Sequence, residues 1–174
     1  AGGNDIIRPG ADPDEIAARL DVAVGRLRSA GATVVVFTGP DIGMTPVLSR
    51  SRGKVAIYNE NLRALALRHD AVVADMWALR QLRDPRMWAP DRLHFSPIGH
   101  NTVARMVLDT LAVNNDLVPY DPDPLPRTAW RAARVEDIGW AREHLMPWVI
   151  RRIRHQSSGD NILPKRPDFL DKKN

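Results

Sequence analysis

The first 112 residues predict an α/β domain built on a parallel sheet, and three features carry that prediction. Apolar residues recur at helical spacing in segments that open near Pro13, Val55 and Pro97. Two runs rich in β-branched residues, 32–38 and 71–75, lack polar alternation, as strands buried on both faces do. Helical segments and strand-like runs alternate along the chain, the order produced by right-handed crossovers.

Each element follows from local chemistry. Gly2-Gly3-Asn4-Asp5 reads as a turn ahead of the short apolar pair Ile6-Ile7. Asp12 is a helix N-cap with Pro13 at the first helical position, and Glu15 completes a capping box. Ile16, Leu20, Val24 (or Ala23) and Leu27 then form an inner face, and Gly31 stops the helix. After the strand 32–38, Gly39, Pro40, Gly43 and Pro46 mark a loop. The next helix spans 55–68, with Ile57, Leu62, Leu65 and Ala66 inward. The strand 71–75 follows, with Asp75 read as an N-cap ahead of a helical piece near 77–82 rather than as a lining residue of a pocket. Pro85 and Pro90 bound an irregular loop that delivers Asp91 to Ser96. Pro97 opens a last helix, with Ile98, Val103, Val107 and Leu111 inward.

Composition bounds what the chain does. With 44% apolar and 26% charged residues it is globular on average rather than disordered. Zero cysteine excludes disulfides, thiolate metal sites and a cysteine nucleophile. No apolar run reaches membrane-spanning length, and no signal peptide is visible, which gives a cytoplasmic expectation. Residues 1–126 hold 14 Lys+Arg against 15 Asp+Glu, whereas residues 127–174 hold 11 against 6, so the basic excess is C-terminal. The boundaries expected are a catalytic part at 1–112, a proline-rich connector at 113–127, a basic amphipathic helical extension at 128–155 and a tail at 156–174. Within the extension, 135–154 reads as helical, with a kink or break at Pro147. Trp130, Trp140 and Trp148 interleave there with Arg142, Arg151, Arg152 and Arg154, and Ile138, Leu145, Val149 and Ile153 form an apolar stripe. Packing on the body is the expected role of that stripe, and contact with an anionic membrane surface through 135–154 is its rival. No nucleic-acid-binding motif is present, so no nucleic-acid partner is expected.

The candidate chemistry sits at two places. Asp91 stands three residues before His94 in a loop, so its carboxylate can fold back on the imidazole Nδ1–H, fix the tautomer and leave Nε2 as a general base. Asn4, among glycines that let backbone approach a substrate, is placed to donate its amide to a developing oxyanion from the end of a strand. His100 lies six residues after His94, a spacing that gives little support to a metal site. His69, at a helix end, reads as structural, and His144 and His155 as solvated. Ser96 reads as the N-cap ahead of Pro97.

In this order and at this separation, the two motifs resemble the C-terminal part of an SGNH/GDSL-type hydrolase. Gly2-Gly3-Asn4-Asp5 is similar to that family's G-x-N-D block, and the stretch from Ala89 to His100 is similar to its D-x-x-H block and following helix. Trp140, Glu143, His144 and Trp148, with Lys165-Arg166-Pro167, resemble C-terminal extensions of actinobacterial members. The resemblance implies a flavodoxin-like three-layer α/β/α fold and hydrolysis of a small-molecule carboxylic (acyl or acetyl) ester. His94 would be base, Asp91 its orienter and Asn4 the oxyanion donor, with no metal or cofactor. The family's serine lies in a G-D-S block ahead of G-x-N-D, and none of Ser29, Ser49, Ser51, Ser96, Ser157 and Ser158 stands in such a block. The expectation is therefore that N-terminal strands and the nucleophile lie outside this chain, which alone is inactive and poorly stable. The alternative is an inactive relative that binds a membrane or partner through its basic helix.

Overall fold

The computed structural model describes residues 2–45, 48–121, 123, 137–147 and 150. The chain divides into two compact units, Ala1–Asp123 and Pro124–Asn174.

In the first unit, Asp12 lies in extended backbone and accepts the N–H groups of Asp14 and Glu15 at 2.8 and 3.4 Å, which starts α2 (Pro13–Ser29) at the position its sequence predicts. The capping box is not closed: the Glu15 carboxylate turns along the helix to Arg19 at 3.4 Å. The Gly2–Asp5 segment, expected as a turn, is instead the start of a single helical turn, α1 (Gly3–Ile6). Gly2 precedes it with φ 90, and a Cβ there would run into the Tyr58 hydroxyl, so both backbone and space demand glycine. Ile6 anchors the turn in the core.

The strands are shorter than the apolar runs that announce them. β1 (Val35–Phe37) and β2 (Val72–Ala74) pair in parallel with Val35 opposite Val72 and Phe37 opposite Ala74. Between them runs α3 (Arg52–Arg68), which begins three residues earlier than predicted and packs on α2. One face of the sheet meets these helices: Val34 and Val36 join Ala17, Val24, Val55, Leu62, Leu65 and Ala66 in a single cluster. Leu27 and Ile57, predicted to face inward, are exposed. Over the second face, α4 (Pro97–Thr110) covers β2, and Ala74 is 0% exposed. Phe37, on the same face of β1, is 44% exposed, so this layer covers only half of the sheet. Along α4, Ile98, Val103 and Val107 are half-buried and Leu111 is exposed.

The helical piece expected at 77–82 does not form as such. The Trp77 N–H is taken by Thr38 Oγ1 at 3.0 Å and the Ala78 N–H by Asp75 Oδ1 at 3.2 Å, which bends the chain before a 3-10 turn at Arg80–Arg83. A second 3-10 turn, Pro85–Met87, is capped by Asp84. Beyond α4, Asn101 Nδ2 donates to the Val118 carbonyl at 3.2 Å and the Arg86 guanidinium to the Asp123 carbonyl at 3.0 Å.

In the second unit, the described residues 137–147 and 150 are helical. A π-helical turn occupies Ala141–Leu145, immediately before the predicted break. Pro147, which has no N–H to donate, follows this turn and is itself helical. Trp130, Trp148, Val149, Arg151, Arg152, Ile153, Arg154, His155 and the 156–174 tail lie outside the described residues. No helix among the described residues is long and apolar enough to cross a membrane.

Candidate active site

Asp91 and His94 are carried by a short hairpin. The Ser96 N–H donates to the Met87 carbonyl at 2.9 Å, the Ala89 N–H donates to the His94 carbonyl at 2.8 Å, and Trp88 and Phe95 form an antiparallel bridge between them. Pro90, whose ring fixes φ, stands second in the turn that closes the hairpin, where the Arg92 N–H donates to the Ala89 carbonyl at 2.8 Å. Arg92 itself has φ 55, and this left-handed residue redirects the chain so that Leu93 and His94 fold back over Asp91. Asp91 Oδ1 accepts the N–H groups of Leu93 and His94 at 2.9 and 3.0 Å. Its Oδ2 lies 2.6 Å from His94 Nδ1. The carboxylate is half-buried, whereas the imidazole is 80% exposed. Burial alone would raise the Asp91 pKa; the hydrogen bonds from the His94 ring and from the His94 and Leu93 main chain outweigh it and hold the carboxyl below its ordinary value.

The hairpin is fixed to α4 by a crowded junction. Ser96 Oγ donates to the Arg86 carbonyl at 2.6 Å and accepts the Gly99 N–H at 3.2 Å, so this hydroxyl is occupied as the helix N-cap. Gly99 is buried, and a Cβ there would collide with the Met87 carbonyl. Beneath the hairpin, Trp88 stacks tilted on Phe95 with centroids 4.7 Å apart, and its indole N–H donates to the Leu82 carbonyl at 2.8 Å. His100 meets Phe95 edge-on at 5.7 Å. Among the described residues, no group of three or more His, Asp or Glu side chains has the arrangement of a metal site.

The carboxyl ends of the strands, where open α/β sheets place their sites, hold networks that sequence reasoning missed. Thr38, 0% exposed, donates its hydroxyl to Asp75 at 2.9 Å, and Arg63 grips the same carboxylate at 3.0 Å. Asp75 is thus a strut between β1, α3 and the segment after β2, in addition to capping Ala78. Buried Asn59 clasps Gly39, accepting its N–H at 2.7 Å and donating to its carbonyl at 2.9 Å. Asp41, whose side chain is 9% exposed, accepts from Arg52 at 2.6 Å and Arg83 at 2.7 Å, and Arg52 also lies over the Trp77 ring. The bonds from Arg52, with those from the Gly43 N–H and Arg83, hold the Asp41 carboxyl far below its ordinary value against the opposing effect of burial. A polar residue within a loop rich in Gly and Pro was the available signal for Asp41; its partners, 11 and 42 residues away, left none.

Asn4 stands within the helical turn α1, rather than at the end of a strand, with an exposed side chain. α1 packs against α2 and α3, and the Asp91–His94 hairpin adjoins α4. His69 pairs with Asp21 of α2 at 2.8 Å from the C-terminal end of α3, a contact between helices.

Comparison with known proteins places one family on the chain. The profile of the GDSL-like Lipase/Acylhydrolase family matches residues 1–102. No curated protein and no solved structure matches.

Proposed function

The chain belongs to the GDSL-like lipase/acylhydrolase family, and from that premise we propose that its Asp91–His94 hairpin supplies the base of a serine ester hydrolase. Family membership supports ester hydrolysis as the general chemistry. The observation that carries the finer reading is the 2.6 Å contact between Asp91 Oδ2 and His94 Nδ1. With Nδ1 bearing the proton donated to Asp91, Nε2 keeps its lone pair on an exposed ring. In the proposed cycle a serine hydroxyl loses its proton to Nε2 as its oxygen attacks the ester carbonyl. Asp91 stabilises the imidazolium, and the Asn4 amide donates to the oxyanion, a contribution worth roughly 3–4 kcal/mol where such donors have been removed. The imidazolium then protonates the departing alcohol, and water, deprotonated by His94, releases the acid from the acyl-enzyme.

The serine is proposed to come from a segment outside these 174 residues. Supporting this, the Ser96 hydroxyl is occupied as a cap, and Ser29, Ser49 and Ser51 lie on α2 or on the 3-10 turn before α3. The test is a fluorophosphonate label applied to the full-length gene product, with p-nitrophenyl acetate turnover measured in parallel. The label is expected on a serine outside this chain, and His94→Ala is expected to abolish both labelling and turnover. Label on Ser96, or turnover unchanged in His94→Ala, refutes the assignment.

A second role is proposed for the C-terminal unit on one observation: Ile138, Met146 and Ile150 are exposed on its helix, in a region holding 11 basic residues against 6 acidic ones. Apolar side chains beside a basic excess suit the surface of an anionic bilayer. Co-sedimentation with phosphatidylglycerol vesicles at low salt is expected for the chain and lost on deletion of 135–174. Equal sedimentation of the two refutes it.

A further inference from the structure

We propose that Trp88 is a positioning residue for His94, a role that rests on the reading of His94 as the general base. At its base, the hairpin that carries Asp91 and His94 is fixed to α4 by Ser96 and Gly99. Across the turn its two arms are joined by main-chain bonds and by the Trp88–Phe95 bridge described above. Trp88 adds an attachment to the 3-10 turn that precedes the hairpin. Its indole N–H donates at 2.8 Å to the carbonyl of Leu82, a residue 3% exposed.

Leu82 sits in the 3-10 turn whose last residue, Arg83, is bound to Asp41 at 2.7 Å in the loop after β1. One indole therefore ties the hairpin to the loops at the carboxyl ends of both strands. The face of the same ring stacks on Phe95, the neighbour of His94. Ring face and ring N–H act on different partners, so a single side chain sets both the twist of the hairpin and its distance from the sheet. The Asp91–His94 contact depends on that setting, because an exposed imidazole has little else to fix its rotation. Loss of the indole leaves the hairpin hinged at Ser96, and a ring free to rotate exchanges its Nδ1–H for the Nε2–H form that unrestrained imidazole prefers.

The tautomer is directly readable. Imidazole 15N NMR of the chain, labelled at histidine and recorded at alkaline pH, distinguishes an Nδ1–H ring from an Nε2–H ring whether or not a nucleophile is present. The unmodified chain is expected to hold neutral His94 as Nδ1–H. Trp88→Phe keeps the stack and removes the donor, and Trp88→Ala removes both; the Nε2–H form is expected to grow in the first and to dominate in the second. Amide spectra confirm that each variant is folded, and if Trp88→Ala unfolds, Trp88→Phe decides alone. Asp91→Asn is the control. Loss of Nδ1–H in Asp91→Asn with full retention in a folded Trp88 variant overturns the role of Trp88 and leaves the base assignment standing. Retention of Nδ1–H in Asp91→Asn overturns the Asp91–His94 pairing, and the role of Trp88 falls with it.

Discussion

Asp91 holds His94 twice: Oδ2 lies 2.6 Å from the ring Nδ1, and Oδ1 accepts the main-chain N–H of the same residue at 3.0 Å. The backbone bond fixes where the imidazole starts, and the ring bond fixes how it is turned. A spacing of three residues permits both only because Pro90 and the left-handed Arg92 fold the chain back on itself.

Asp91→Asn replaces one acceptor oxygen with a donor and removes the charge that favours imidazolium. In a form of the protein that carries the proposed serine, kcat for p-nitrophenyl acetate is expected to fall about 10⁴-fold, as when such an orienting carboxylate is neutralised. His94→Ala is expected to lose at least as much, and the double variant little more, since residues acting as one unit are not additive. Additive losses would show that Asp91 and His94 act separately.

The depressed Asp91 pKa has a definite sign. Its folded value lies below the unfolded one, so its stabilising contribution is fully present above the unfolded pKa and is lost as pH falls through the folded pKa. Carboxyl 13C titration is expected to give a midpoint below the ordinary aspartate value, and His94→Ala, which removes the leading favourable bond, to move it upward. An unmoved midpoint contradicts the pairing.

Asn59 is 1% exposed and is the partner of both main-chain groups of Gly39. Asn59→Ala leaves those two groups without it, and urea unfolding is expected to show a loss of about 1–3 kcal/mol. A loss below about 0.5 kcal/mol, the scatter expected of ordinary surface changes, would mean that the clasp contributes nothing.

Gly99→Ala drives a methyl group into the Met87 carbonyl at the base of the hairpin. Overpacking of this kind costs about 1–3 kcal/mol, and faster amide exchange is expected at Ala89 and Ser96. Gly53→Ala is the matched control: nothing lies within 4 Å of a Cβ at that position in the first turn of α3, and helix propensity predicts no loss there. Equal effects at the two glycines would refute the close approach.

What the sequence disclosed follows from the range of the forces involved. Asp12-Pro13 and Ser96-Pro97 mark helix starts because capping is settled within one turn, and the Asp91–His94 contact is equally local, although the segment that carries it reads as an irregular loop and is a hairpin. α1 was hidden because four residues show no period. Leu27 and Ile57 match the helical spacing yet are exposed, since periodicity reports an apolar side chain and not the presence of a layer to cover it. The segment after β2 departed from its apolar pattern because Thr38, 39 residues distant from Trp77, took its N–H. The same distance hid the Asp41 and Asp75 networks, which the fold alone brings together.

The hairpin also has a bearing on the order in which the machinery assembles. Asp91 and His94 are separated by three residues, so their encounter closes a very small loop, and loop-closure entropy grows with length. Hairpins form in roughly 1–10 μs, and their contact can be made before the parallel strands find each other. Asn4 lies ninety residues upstream of His94 and reaches its place only when α1 docks on α2 and α3. Under the proposed roles, partial unfolding that detaches α1 separates Asn4 from His94 while leaving His94 and Asp91 joined, so loss of esterase turnover on heating or in denaturant is expected to precede loss of the hairpin.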